Sequence, residues 1–141
     1  MIDVNEIVAT LDDYAKAYCA KDIDALMRVF HSDNAISVIG TGENELCSGI
    51  ASVKKLFLRN FAEATATQFE WGWSDVIASN DHAVISQALT IHLETDDGLV
   101  LVPVRWSVVL KKTDRWVWLH RHASAAAGSQ AEGRAYPTPT K

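Results

Sequence analysis

Cysteine is scarce in this chain: there are two in 141 residues, Cys19 and Cys47, in unrelated contexts and without a CxxC spacing. A disulfide framework is therefore excluded, and both are expected to be reduced, buried thiols. No apolar run approaches the roughly 18 residues that span a bilayer, so neither a membrane helix nor a membrane partner is expected. Positive charge is in deficit, with 13 Lys and Arg against 18 Asp and Glu and no basic block, which argues against nucleic acid as a partner. The opening stretch MIDVNEIVATLDDY is acidic and amphipathic rather than basic then apolar, so a cytoplasmic location is expected. There is no GxSxG, no phosphate-cradling glycine loop and no EF-hand pattern, which leaves hydrolase and nucleotide readings without support. No internal repeat is visible.

What is present is globular material, 48% hydrophobic and 22% charged, in an amount that makes one core without a metal or disulfide staple. Five Trp against three Tyr and four Phe is the unusual count. Indoles are large enough to wall a cavity or anchor an interface, so one of those features is expected.

The first third reads as helical. Ile7, Val8, Leu11, Tyr14, Ala15 and Tyr18 recur at three- and four-residue spacing, predicting a helix over about residues 4–20, capped by Asp3 with Glu6 three residues on. Asp22 caps a second, short helix carrying Ile23, Leu26, Met27 and Phe30. After the turn cluster His31–Asn34, residues 35–39 are β-branched and read as a strand. A loop at Gly40–Asn44 follows, and Ser48-Gly49 opens a third helix with Val53, Leu56, Phe57 and Phe61 on one side. From Thr67 the character changes to four segments rich in Val, Ile, Thr and Trp: 67–77, 83–94, 99–111 and 116–124, joined by short turns. Helices first and a meander afterwards predict an α+β domain over residues 1–124, a curved antiparallel sheet wrapped by three N-terminal helices. A loose tail over 125–141 follows.

Strand alternation sets Arg105, Ser107 and Val109 against Trp106, Val108 and Leu110. In the last strand it sets Trp116, Trp118, His120, His122 and Ser124 against Val117, Leu119, Arg121 and Ala123. Arg105 stands in an otherwise apolar run. It is either one end of a cross-sheet salt bridge, for example to Glu94, or a fork of donors in a pocket suited to a carboxylate or enolate oxygen. Counting back from the hairpin turn brings Arg121 opposite Arg105, and two adjacent guanidiniums favour an anion between them. His120 and His122 point the same way. They are read first as interface residues, then as a general base, and last as metal ligands, because no third ligand accompanies them; neither a metal nor a cofactor is expected. Phe69, Trp71 and Trp73 share a face as core or as pocket wall.

Several stretches in this order resemble the nuclear transport factor 2-like superfamily, in its ketosteroid isomerase and SnoaL-like cyclase branches. They are Tyr18-Cys19-Ala20-Lys21-Asp22-Ile23-Asp24-Ala25-Leu26, then Phe30 before Asp33-Asn34-Ala35, then Ser48-Gly49, and last Trp116 followed by His120, Arg121, His122 and Ser124. The likeness spans about residues 4–124 and implies a cystatin-like cone of curved sheet around a deep pocket, with dimerisation through the sheet's outer face. On this resemblance the isomerase's helix-one tyrosine donor falls on Tyr14 and its second oxyanion donor on Arg105. Its general-base aspartate falls on Ile39 or Val38, neither of which can take a proton, so isomerase activity does not carry over. The implied pocket has Tyr14, Arg105 and Arg121 as donors and Phe57, Trp71, Leu119 and Ala123 as walls. The implied homodimer face carries Trp116, Trp118, His120 and His122.

Three functions follow as expectations. The first is a SnoaL-like binder of a small apolar, anionic or carbonyl-bearing molecule. The second is an isomerase, cyclase or hydratase drawing its base from Asp33, Asp75 or a histidine. The third is a dimerisation module whose pocket is vestigial, filled by Trp71 and Trp73.

Overall fold

A computed structural model describes residues 2–33 and 35–139. Of the expected turn cluster, Asn34 lies outside the described residues, as do the first residue of the expected domain and the last two of the expected tail. Helix α1 (Val4–Cys19) starts where the Asp3 carboxylate accepts from the Asn5 amide at 2.9 Å, and its stripe Ile7, Leu11, Tyr14 and Ala17 is buried. Glu6 does not close a capping box; its carboxylate takes a hydrogen bond from the Lys112 ammonium at 3.3 Å. Asp22 caps α2 (Ile23–Val29) by accepting from the Ala25 amide at 3.0 Å. Helix α3 (Ile50–Glu63) follows Gly49, whose φ of 89° is open to glycine at little cost.

Six strands complete the fold: β1 (Ser37–Ile39), β2 (Leu46–Ser48), β3 (Thr65–Ala78), β4 (His82–Thr95), β5 (Gly98–Lys112) and β6 (Trp116–Ser124). They form one sheet in the order β2-β1-β6-β5-β4-β3. The four long strands are the expected meander, each within about two residues of its sequence bounds. Two things differ from expectation. Leu46–Ser48 is a strand, too short to show an alternation, and β1 runs parallel to β6. The sheet is not closed, and bulges between Ala66 and Gln68, between Trp71 and Ser74, and at Leu119 bend it around the helices.

The bulge at Leu119 decides which side chains face the helices. Trp118 pairs with Leu110 and His120 pairs with Val109, so Leu119 has no partner across the strand and the alternation changes phase there. Before the bulge, Trp116 and Trp118 point inward; after it, Arg121 and Ala123 do. An unbroken strand cannot bury both pairs on one face.

The core centres on Tyr14. Its ring stacks on Trp118 at 4.9 Å and meets the edge of Trp106 at 5.0 Å, while Phe57 and Phe69 stand edge-on at 6.0 Å each. The Trp118 indole N–H donates to the Thr10 hydroxyl at 2.9 Å, so the polar end of a fully buried indole is satisfied. Cys19 and Cys47 are free and half-buried. Beyond Ser124 the described chain has turns only, is exposed, and is held by local contacts such as the Thr138 amide to the Ser129 carbonyl.

Candidate functional site

Between α1, α3 and the inner face of the sheet lies a cleft of about 830 Å³. Its floor is Arg121, Tyr14 and Tyr18, its walls are apolar (Leu56, Phe69, Ile91, Val104 and Trp106 among them), and its mouth is polar.

Arg121 is 7% exposed, and no carboxylate among the described residues pairs with it. One terminal nitrogen donates to the Tyr14 hydroxyl oxygen at 2.9 Å, the other lies 3.4 Å from the Ile39 carbonyl, and the guanidinium carbon sits 5.4 Å from the Trp106 ring centre. Its Nε is buried and has no hydrogen-bond partner. Removing an arginine from water costs several kcal/mol, which two neutral acceptors and an indole face offset in part. A buried cation without a carboxylate partner favours an anionic or strongly polarised oxygen beside it.

Burial pushes the Tyr14 phenol above its ordinary pKa against the lowering pull of Arg121, and burial does the same at Tyr18. Both phenols are therefore neutral. Since Tyr14 oxygen accepts from Arg121, its own proton is available to a ligand oxygen at the same point. Tyr18 stacks on Tyr14 at 5.7 Å, and Asn60 of α3 lines the cleft with them.

At the mouth, the loop joining β1 to β2 folds onto Glu45. One Glu45 oxygen accepts from the Gly42 amide at 2.8 Å and the other is held by Arg59 of α3. A Cβ at Gly40 would lie 2.5 Å from that carboxylate, so the loop closes this way only with glycine there. Glu63, at the end of α3, and Asp96 and Asp97, in the β4–β5 turn, complete the rim.

A family model for the SnoaL-like domain matches residues 7–128. The chain belongs to the SnoaL-like family. Solved structures agree on the fold of this SnoaL-like chain. A candidate dehydratase of the NTF2-like family from Streptomyces avermitilis superposes with a TM-score of 0.81 at 20% identity, covering 89% of this chain and 98% of that one. A candidate aromatic ring hydroxylase from Novosphingobium aromaticivorans superposes at 0.76 with 19% identity, over 88% and 91%. An NTF2-like protein with a cystatin-like fold from the same organism superposes at 0.72 with 15% identity, over 90% and 84%. Among curated proteins, none matches.

Of the residues expected in the SnoaL-like pocket, the structure brings Tyr14, Arg121 and Ala123 together in the cleft. Arg105 is not there. It pairs with Ser124 rather than Arg121, faces the outer side of the sheet, and touches the Ala125 carbonyl at 3.4 Å. The hairpin count placed it wrongly because Arg121 pairs with Val108, and because Trp106, Val108 and Leu110 take the inner face of β5. Phe57 is fully buried beneath the floor against Tyr14 and Phe30. Leu119 is the half-buried bulge residue, and Trp71 lies to the side, its indole N–H on the Asp12 carboxylate at 3.1 Å. Trp116 and Trp118 are buried, not outer-face residues; the phase change at Leu119 turns them in. His120 and His122 do face outward, with His120 2.8 Å from the Ser37 hydroxyl.

The site residues missed at the sequence level are Tyr18, Asn60, Trp106 and the rim. Tyr18 had a signal, since it lies four residues after Tyr14 on one helix face and their rings stack at 5.7 Å. Of the two positions on which the resemblance puts the isomerase base, Ile39 is half-buried and Val38 is fully buried in register with Arg121.

Proposed function

We propose that the protein is a small-molecule binder whose ligand places an anionic or carbonyl oxygen on Arg121 and Tyr14, with its apolar body along the cleft walls. The observation that carries this is a buried, cleft-lining guanidinium with no carboxylate partner among the described residues. A ligand oxygen beside the guanidinium supplies the counter-charge that the described protein atoms do not. The collapsed-pocket reading has less support, since Trp73 is 67% exposed, Trp71 is bonded to Asp12, and the cleft is open. Catalysis by Asp33, Asp75 or a histidine has less support too, because none of them borders the cleft among the described residues and the carboxylates that do are at its mouth.

The test is thermal denaturation with a panel of aliphatic and aromatic monocarboxylates. At ligand concentrations about 100-fold above Kd, binding adds about 2.7 kcal/mol, a rise of several degrees in Tm. The rise is expected to vanish in Arg121→Met, and equal rises in both proteins would sink the assignment. Pairing of two copies through the outer face is part of this reading, with Trp73, Arg105, His120 and His122 as the outward residues. Light scattering is expected to return twice the 15.5 kDa chain mass, and a 15.5 kDa species at micromolar concentration would refute the pairing.

A further inference from the structure

We infer that the occupant of the cleft is bipolar: an apolar molecule carrying one anionic group for the Arg121–Tyr14 floor and one cationic group for the mouth. This rests on the floor reading above and adds the chemistry of the ligand's other end. The same cavity that has an unpaired buried cation at its base is bordered at its opening by Glu45, Glu63, Asp96 and Asp97. Among the described residues Arg59 is the one other cation along it, and Arg59 is already held by Glu45. Glu63, Asp96 and Asp97 have no ion-pair partner among the described residues.

Two further features deepen the negative potential there. Glu63 is the last residue of α3, whose final turn has no basic residue, so the helix's own carbonyl end adds to the carboxylate. Asp96 and Asp97 are presented by an ordered turn, in which the Thr95 hydroxyl donates to the Gly98 carbonyl at 2.8 Å and accepts from the Asp97 amide at 3.2 Å. The walls between the two ends are hydrocarbon and indole, so nothing along them favours a charge in the middle. A dianion would meet repulsion at the mouth, a plain monoanion would gain only the floor, and an amino- or guanidino-bearing carboxylate would gain both ends.

The experiment compares three probes with one hydrocarbon body, decanoate, 10-aminodecanoate and decanedioate, by titration calorimetry at low salt. With the ammonium at a solvated rim, 10-aminodecanoate is expected to bind about three- to tenfold more tightly than decanoate, and decanedioate least tightly. The ratio is expected to fall towards one in the triple variant Glu63→Gln, Asp96→Asn, Asp97→Asn, and in about 0.5 M salt, where exposed charges are screened within about 5 Å. All three substitutions are on exposed side chains, so the variant folds as the parent does. Three equal affinities, together with loss of decanoate binding in Arg121→Met, would overturn the bipolar ligand and leave the floor assignment standing. If neither decanoate nor 10-aminodecanoate binds, both fall together.

Discussion

Arg121 and Arg105 stand on adjacent strands and lead opposite lives. Arg121 is buried, bonded to a phenol and a backbone carbonyl, and keeps one donor open. Arg105 is exposed and its hydrogen bond among the described residues is to the Ala125 carbonyl. An arginine in an apolar strand is therefore no evidence of a pocket by itself; the face it falls on decides. In the same way, two of the five tryptophans, Trp118 and Trp73, divide between full burial and 67% exposure.

The largest effect expected from breaking this inner–outer contrast is at the tryptophans. Trp118→Ala removes a fully buried indole that stacks on Tyr14 and bonds Thr10, and is expected to cost about 3–5 kcal/mol in urea denaturation. Trp73→Ala, on the outer face, is expected to fall within about 0.5 kcal/mol at protein concentrations where the chain is a monomer. Similar losses at the two positions would mean the inward and outward assignments are wrong. An intermediate test uses the arginines: Arg105→Ala is expected to leave monocarboxylate affinity within about twofold of the parent, where Arg121→Met abolishes it. A loss of binding in Arg105→Ala would return the outer arginine to the site.

The smallest effect is a pH dependence at the outer face. Burial, reinforced by the neighbouring His122, holds His120 below the ordinary histidine pKa. A depressed folded value means the unfolded chain takes up the proton first. The contribution is whole above about pH 6.5 and is lost as the pH falls below that through the folded value. Tm measured from pH 7.5 down to about 5 is expected to drop less steeply in His120→Gln than in the parent. Parallel curves would show that His120 contributes nothing to acid sensitivity.

Much of the fold was legible because its signals are local. Asp3 and Asp22 cap the helices they were expected to cap, and the four long strands lie where alternation and turn residues put them. Tyr14 was named through the resemblance and Arg121 through a pairing with Arg105 that the register does not have, yet both line the cleft. The rest of the site was not legible, for two physical reasons. A bulge adds one residue without changing composition, so nothing near Leu119 in the sequence announces that Trp118 and Arg121 share a face. The rim brings together Glu45 from the β1–β2 loop, Glu63 from the end of α3, and Asp96 and Asp97 from the β4–β5 turn, and no spacing rule links them.

The sequence by itself determined the α+β class, the caps of the first two helices, the extent of the four long strands and the family, because caps, turn residues and periodicity act over a few neighbouring residues. Only the tertiary structure decided which arginine is buried, since a strand has two equivalent faces until pairing register and a bulge say which one meets the helices. The opposed charges at the two ends of the cleft were decided there too, because charges far apart in the chain set one local potential only after folding brings them together.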